Sequence, residues 1–308
     1  MNQIDRLRFG KMNKTILIIA NPVAGRAAAD RRAHRLWEAL KARGLKVELS
    51  FTRRAGDACR IAGQVDSHVR AVVVAGGDGT VNEVLNGLQD PSRVPVAVLP
   101  SGTANMLAYE LRLPYRAEAI AAMIASPLVR RVDMGLVENK RFLLLVSAGF
   151  DAMVTEEVSR TRGRALGYRG YVIPIVKTIG KYKKTDLEIA VDGQRVTGGL
   201  VIVFSIRNYG GLFEIDAVKG SDSGHFDVCV FHGGTIPAVL RYSVAMVTHR
   251  IPQLSDVTFL SGQNVKIESL GEPVPVEVDG DYFGTTPVEI NLRPAHVPVI
   301  VPPVAGST

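Results

Sequence analysis

Apolar positions change their period once along this chain. In the first half, short unbroken apolar runs alternate with stretches whose apolar residues recur every three or four positions. "TILIIA" (15–20), "AVVVA" (71–75) and "VPVAVLP" (94–100) are continuous runs, the pattern of strands buried on both faces. Between them, "DRRAHRLWEALKARG" (30–44) places Leu36, Trp37 and Leu40 on one helix side, with Gly44 as a stop signal. "KVELSFT" (46–52) predicts a strand, and "GDACRIAGQV" (56–65) a helix with Ala58, Ile61, Ala62 and Val65 on one face. Val81, Val84, Leu85 and Leu88 form another helix stripe, and further helices are predicted near 103–111 and 116–126. Strands alternating with helices predict a parallel sheet covered on both faces, with ligands beyond the carboxyl ends of its strands.

After about Val132 strands dominate. They are "RFLLLVSA" (141–148), "DLEIAVDG" (186–193), "GGLVIVFSI" (198–206), "FDVCVF" (226–231), "NVKIESL" (264–270), "VPVEVDG" (274–280) and "TPVEINL" (286–292). Gly, Asp and Asn punctuate them at short spacing, which predicts an antiparallel β-rich domain. Helical patterns interrupt near 152–180 and 235–247. The fold class is therefore α/β with two domains: a parallel-sheet domain over 1–132 and an antiparallel β-rich domain over 133–294. The final "PAHVPVIVPP" (294–303) reads as a strand returning to the first domain, so 295–308 are assigned there. Residues 1–13 read as a mobile extension.

Composition narrows the class. The chain has 308 residues, 46% of them hydrophobic, enough for a large core. No apolar run approaches the roughly 18 residues that span a bilayer, and "ILIIA" is too short for a signal-peptide core. Two cysteines, Cys59 and Cys229, give neither a disulfide framework nor metal spacing, so a reducing cytoplasm is expected. The net charge of +7 is uneven: residues 1–132 hold 20 Lys/Arg against 11 Asp/Glu, the remainder 17 against 19. An anionic ligand or surface suits the first half. The basic residues carry no helix-turn-helix, zinc or RNA-stacking signature, so no nucleic-acid partner is expected.

Candidate chemistry lies where first-half strands end. "NPVAG" (21–25), "GGDGTVN" (76–82) and "PSGTAN" (100–105) each follow such a strand and should meet along one sheet edge. Their small residues let backbone amides approach a ligand closely. None ends in GK[ST] and none completes GxGxxG. Asp78 needs explaining: N–H groups at a helix start attract phosphate, whereas a carboxylate repels it. Thr80 with Glu83 also fits a capping box. Later, "VEVDGDYFGTTP" (276–287) puts Asp-Gly between two alternating runs, the pattern of a hairpin turn.

In this order and spacing, "NPVAG", "GGDGTVNEVLNGL", "PSGTANMLA" and "VEVDGD" resemble the diacylglycerol kinase and sphingosine kinase catalytic family, over about residues 14–293. GGDGT by itself is shared with NAD kinases. The resemblance implies an ATP-dependent, Mg²⁺-assisted lipid kinase. It would transfer the γ-phosphoryl group to a lipid hydroxyl of diacylglycerol, a sphingoid base or a related lipid alcohol. The active site would lie in the cleft between a nucleotide-binding first domain and a lipid-acceptor second domain. The implied nucleotide contacts are Asn21, Gly25, Thr52, Gly76, Gly77, Asp78, Gly79, Thr80, Asn82 and Thr103. Asp78 becomes compatible with a triphosphate if Mg²⁺ lies between them, or if it orients the incoming hydroxyl. Asp279 and Asp281 match the family's acidic pair that includes the catalytic base. The usual pair is Asp-Gly-Glu, so Asp281 is one methylene shorter and either carboxylate could reach the hydroxyl. Gly220, Ser223 and His225 stand where relatives hold a structural Mg²⁺, but Ser223 replaces an Asp and is the poorer ligand. Met106 replaces an Asp common in diacylglycerol kinases, which argues for some other acceptor.

A lipid kinase without a membrane span has to visit a surface. Residues 160–184 contain Arg160, Arg162, Arg164, Arg169, Lys177, Lys181, Lys183 and Lys184 and no acid. Tyr168, Tyr171, Val172, Ile173, Ile175, Val176 and Ile179 add apolar and interfacial character. Each engaged charge gains on the order of 1 kcal/mol near anionic lipid, so peripheral membrane association with anionic phospholipid is expected. An ordinary solvated helical segment is the competing reading. Competing functions are a soluble kinase of the NAD kinase type and a non-catalytic lipid- or nucleotide-binding protein. The acceptor and the oligomeric state stay open, a homodimer among the options.

Overall fold

The structure is a computed structural model that describes residues 4–6, 14–25, 29–160, 172–182, 184–209, 213–214 and 220–303. The chain divides into two units, Met1–Val132 with Ala295–Thr308, and Asp133–Pro294. The first contains β1 (Ile4–Arg6), β2 (Thr15–Ala20), α1 (Ala29–Lys41), β3 (Val47–Phe51), α2 (Asp57–Ala62), β4 (Val69–Gly76), α3 (Asp78–Gly87), β5 (Val96–Pro100), α4 (Met106–Glu110), α5 (Ala117–Ala125) and the start of β6 (Leu128–Val137). The second contains β7 (Lys140–Phe142), β8 (Leu145–Ala148), α6 (Phe150–Arg160), α7 (Val172–Lys181), β9 (Leu187–Val191), β10 (Gln194–Gly198), β11 (Leu200–Phe204), β12 (Asn208–Tyr209), β13 (Phe213–Glu214), β14 (Phe226–Phe231), α8 (Ile236–Val247), β15 (Val257–Gly262), β16 (Asn264–Ser269), β17 (Pro275–Val278) and β18 (Asp281–Thr285). The last strand, β19 (Val288–Val301), contributes to both.

In the first unit β3, β2, β4, β5 and the end of β19 lie side by side, all parallel. Ile16, Ile18, Ala71, Val73, Ala97 and Leu99 meet Ala33, Leu36 and Leu40 of α1 and Ile120 and Ile124 of α5. Leu36 and Leu40 expose no surface, and burying each contributes about 1.5–3 kcal/mol. Residues 4–6 form a strand where 1–13 read as an extension; the rest of that stretch lies outside the described residues. Ile4, Asp5 and Arg6 pair antiparallel with Arg130, Val129 and Leu128. Three residues without hydrophobic periodicity leave no strand signature; the pairing comes from the partner.

The second unit is a sandwich of antiparallel sheets. One has the order β10-β9-β16-β19, the other β15-β14-β11-β8-β17-β18. Leu187, Ile189 and Val191 face inward along β9 and join Val201, Val203, Phe226, Val228 and Val276 in one core. Phe142 and Phe226 stack within it at 5.6 Å. Helix α6 packs on β8, β17 and β18. The helical pattern predicted over 152–180 resolves into α6 and α7.

Candidate active site

Parallel register brings the first-unit loops together. Ala20 lies beside Phe51 and Ala75, and Gly76 beside Pro100. The ladder continues one residue further: Asn21 N donates to Ala75 O at 2.9 Å, Thr52 N to Ala20 O at 2.9 Å and Ser101 N to Gly76 O at 2.9 Å. Asn21 Nδ2 then donates to Thr80 Oγ1 (3.3 Å), while its Oδ1 accepts Val23 N (3.1 Å). The loops touch through glycine. A Cβ on Gly25, whose φ is +66°, would lie 1.8 Å from Ser101 O. One on Gly102 would lie 2.5 Å from Gly77 Cα. Asn21, Gly25, Thr52 and residues 76–80 thus share one edge of this unit. Thr103 is exposed on the third loop, and Asn82 is buried one turn further along α3, where it accepts from Asn86 Nδ2.

The acid of the second loop ties two loops together. Asp78 opens α3, and its Oδ2 accepts Met106 N (3.0 Å) while Oδ1 accepts Leu107 N (3.3 Å). Those N–H groups begin α4, whose N-cap Asn105 makes no side-chain cap. A helix start leaves such donors unpaired, so Asp78 caps α4 from another loop. Burial pushes the Asp78 carboxyl above its ordinary value, and the two N–H donors pull it back. The capping box does not form. Helix α3 starts at Asp78 after Gly77, so Thr80 is already inside it and takes Asn21 instead. Glu83 reaches another helix, accepting Ala58 N at 3.1 Å.

Gly79 differs from its neighbours. A Cβ there would meet nothing within 4 Å among the described residues, and the residue is exposed in the first turn of α3. Sequence reasoning missed three supports of these loops. Arg32 donates to Ser101 Oγ (3.3 Å) and to Tyr115 O. Asn105 grips Gly102 through both its amide atoms (2.8 and 2.9 Å). Asp57 accepts Arg53 N (2.9 Å) and Arg54 N (3.2 Å) just after Thr52. Those donors, with Arg60, hold its carboxyl below the usual range. Only Asp57 had a local signal, an acid at a helix start.

In the second unit Asp279 occupies the turn between β17 and β18 with φ +51°. Its carboxylate accepts Leu143 N (3.1 Å), Leu144 N (2.9 Å) and Leu145 N (3.1 Å), and its own N donates to Leu145 O (3.0 Å). Three donors occupy most of the roughly four acceptor positions of a carboxylate. Asp281 is exposed at the start of β18. A cavity of about 800 Å³ in this unit is lined by Met153, Thr185, His232 and Glu272 among others, and neither aspartate reaches its wall.

The described oxygens of the loop at Gly220, Ser223 and His225 are already engaged by hydrogen bonds, so among the described residues this donor set does not fit a cation. Gly220 O accepts Ser223 N (3.3 Å), and Ser221 O accepts Asp133 N (2.7 Å). His225 O accepts Ser223 Oγ (2.8 Å), and Ser223 O accepts the His225 Nδ1 proton (2.9 Å). Asp133 holds the loop from outside, its Oδ2 also accepting Gly224 N (2.8 Å), and no carboxylate stands at 223. Among the described residues no three His, Cys, Asp or Glu converge as a metal cluster.

Of the basic segment, Arg162, Arg164, Arg169 and Lys183, with Tyr168 and Tyr171, lie outside the described residues, as do the side chains of Val172 and Lys181. Ile173 (66% exposed), Ile175 and Val176 (63%) form an open apolar face on α7, while Ile179 is half-buried. Three of the cations have acidic partners: Arg160 pairs with Glu156 (2.8 Å), Lys177 with Glu157 (3.3 Å) and Lys184 with Asp186 (2.9 Å). Among the described residues, no helix is long and apolar enough to cross a membrane.

A parallel-sheet unit with three fused glycine loops, followed by a β sandwich with an acidic turn, defines a known class of protein. Residues 15–137 match the diacylglycerol kinase catalytic domain, and residues 144–301 match the YegS C-terminal NAD kinase beta sandwich-like domain. The chain belongs to the diacylglycerol kinase catalytic family, in the form that carries this second domain. It is 27% identical over 297 residues to a diacylglycerol kinase of Bacillus subtilis, covering 94% of this chain and 97% of the relative. It is also 27% identical over 310 residues to a diacylglycerol kinase of Mycobacterium tuberculosis, covering 97% and 98%. The crystal structure of a diacylglycerol kinase from Bacillus anthracis aligns with a TM-score of 0.74 at 27% identity, over 95% of this chain and 98% of that one.

Proposed function

We propose that this chain is an ATP-dependent lipid kinase. The first unit holds the nucleotide on the loops at 21–25, 76–80 and 100–103, and the second supplies the acceptor-side acid. Gly79 is the observation that carries the reading. Glycine in a helix costs about 1 kcal/mol against alanine, and no neighbour among the described residues requires it. An open glycine in the first turn of α3 is what a close-approaching phosphate needs. The family and the names of the relatives support a kinase.

In the proposed step the acceptor hydroxyl oxygen bonds to the γ-phosphorus as the bond from that phosphorus to the β–γ bridging oxygen breaks. The hydroxyl proton passes to a carboxylate, and ADP leaves. We assign the proton to Asp281, which is exposed. Asp279 is engaged by three N–H donors and orients the turn. Asp78 fits a Mg²⁺ that arrives with the nucleotide, because such an ion needs one or two carboxylates plus phosphate oxygens and not a protein cage. When bound, Mg²⁺ neutralises charge on the phosphates. Helix α7 serves as a contact for anionic phospholipid, with Ile173 and Val176 entering the interface.

The test is incubation with labelled ATP, Mg²⁺ and a mixed lipid extract, with mass identification of the product. Label in a lipid phosphate supports the reading; intact ATP binding with no labelled lipid overturns it. One observation favours a second reading. The second domain matches an NAD kinase-like sandwich, so NAD forms a parallel arm. Label appearing in NADP and in no lipid would select that acceptor.

A further inference from the structure

Ser147, Asp151, Thr155 and Glu277 form a buried polar cluster in the second unit that the phosphoryl-transfer scheme does not use. Ser147 Oγ lies 3.1 Å from Asp151 Oδ2 and 3.2 Å from Glu277 Oε2, and Ser147 exposes no surface. Thr155 Oγ1 donates to Glu277 Oε2 (3.0 Å), and Gly280 N donates to Glu277 Oε1 (3.1 Å). Glu277 is 6% exposed on β17. A serine hydroxyl has one proton, yet this one bridges two carboxyl groups at hydrogen-bond distance. The second bond therefore requires a proton on a carboxyl group. The more buried group is the one that keeps it, because burial penalises the charged form.

We propose that Glu277 is a positioning residue for the acidic turn: as a neutral acid it donates through Ser147 to Asp151 and accepts the Gly280 amide, fixing Asp279-Gly280-Asp281 against helix α6. Burial pushes the Glu277 carboxyl well up, and the charge and hydrogen bond of Asp151 push it further. Charged and titratable groups on the packed elements are Asp151, Glu156, Glu157 and Arg160 on α6, and Asp281 and Tyr282 on β18; β8 carries none. Glu156 and Glu157 are paired with Arg160 and Lys177 and Asp281 is exposed, so Asp151, bridged to Glu277 by Ser147, is the acid acting on it.

The proposal rests on the kinase reading only for its kinetic readout. The full-length protein and its E277Q, E277L and D151N variants are compared by infrared spectroscopy from about pH 6 to about pH 9, and by kcat and KM over the same range, where an unperturbed carboxyl is ionised. The wild type is expected to show a protonated-carboxyl C=O stretch that E277Q lacks and that titrates away at lower pH in D151N. Glutamine can donate to Ser147 and accept the Gly280 amide, with the Thr155 hydroxyl turned to Asp151 O at 3.3 Å, so E277Q should keep kcat within about threefold and lose the alkaline decline, whereas E277L should lose about tenfold or more in kcat with KM for ATP little changed. A wild-type-minus-E277Q spectrum without that band overturns the proposal, as does an E277Q loss as large as that of E277L. If E277L does not fold, the band and the E277Q pH profile still decide. Should the wild type phosphorylate no lipid, the functional reading fails while the infrared result still judges Glu277.

Discussion

Among the described residues nothing comes within 4 Å of a Cβ at Gly79, which suits a glycine kept for a ligand. Gly79→Ala is therefore expected to act in two directions. Without ligand it should raise stability by up to about 1 kcal/mol through helix propensity, seen as a higher Tm. With nucleotide it should weaken binding about tenfold or more by crowding the phosphate approach, read by titration calorimetry. Asp78 should separate its two tasks in the same way. Asp78→Ala removes the cap of α4 and should cost about 1–2 kcal/mol of stability. Asp78→Asn keeps one acceptor oxygen and should cost less, while both variants lose turnover. Glu277 carries a pH signature. Its folded carboxyl is raised above the ordinary 4.5, so the folded state holds a proton that the unfolded chain releases. Stability from that proton is complete below about 4.5 and falls as pH rises toward the folded value. The Tm of E277Q relative to wild type should accordingly climb with pH across that window.

Among the elements, the three loops behave as one body because backbone meets backbone at their glycines. Gly25→Ala places a Cβ 1.8 Å from Ser101 O at a φ of +66°, and both faults force the first and third loops apart. A loss of about 2–4 kcal/mol is expected from overpacking together with backbone strain, measurable by urea unfolding. Helix α7 presents a different case. Ile173 and Val176 are open, so replacing both with Ser should leave the fold unchanged and reduce pelleting with anionic vesicles. Equal pelleting of the variant and wild type would remove α7 as the contact. The eight cations predicted to face lipid are not equivalent, since Arg160 and Lys177 already answer Glu156 and Glu157. Those acids lie just outside the basic stretch in sequence and reach it by helical spacing and by packing of α6 on α7.

For the molecule as a whole, ligand linkage separates the two cation readings. Mg²⁺ alone should leave Tm unchanged, because the described oxygens of the loop at 220–225 already accept hydrogen bonds. Mg²⁺ with ATP should raise stability by about 1.4 kcal/mol at tenfold excess over Kd. The fold class was legible because hydrophobic periodicity is a local property. The strands at 15–20, 71–75 and 96–100 are covered on both faces, which writes unbroken apolar runs into the chain, and in the sandwich β9 writes alternation while β11 and β14 are again buried throughout. The loop sequences were legible too, since small residues at strand ends are visible without coordinates. The partners of the acids were not. Asp78 meets N–H groups 28 and 29 positions away, and Asp279 meets three that are 134 to 136 positions away. A backbone amide has the same chemistry in every residue, so no side-chain pattern marks which one a carboxylate will find. Side-chain order along the chain thus sufficed for the layers and the glycine bends. Folding alone assigned Asp78 to a helix start, Asp279 to a strand entrance and Glu277 to a buried proton, because those assignments depend on distance in space and on exclusion of water.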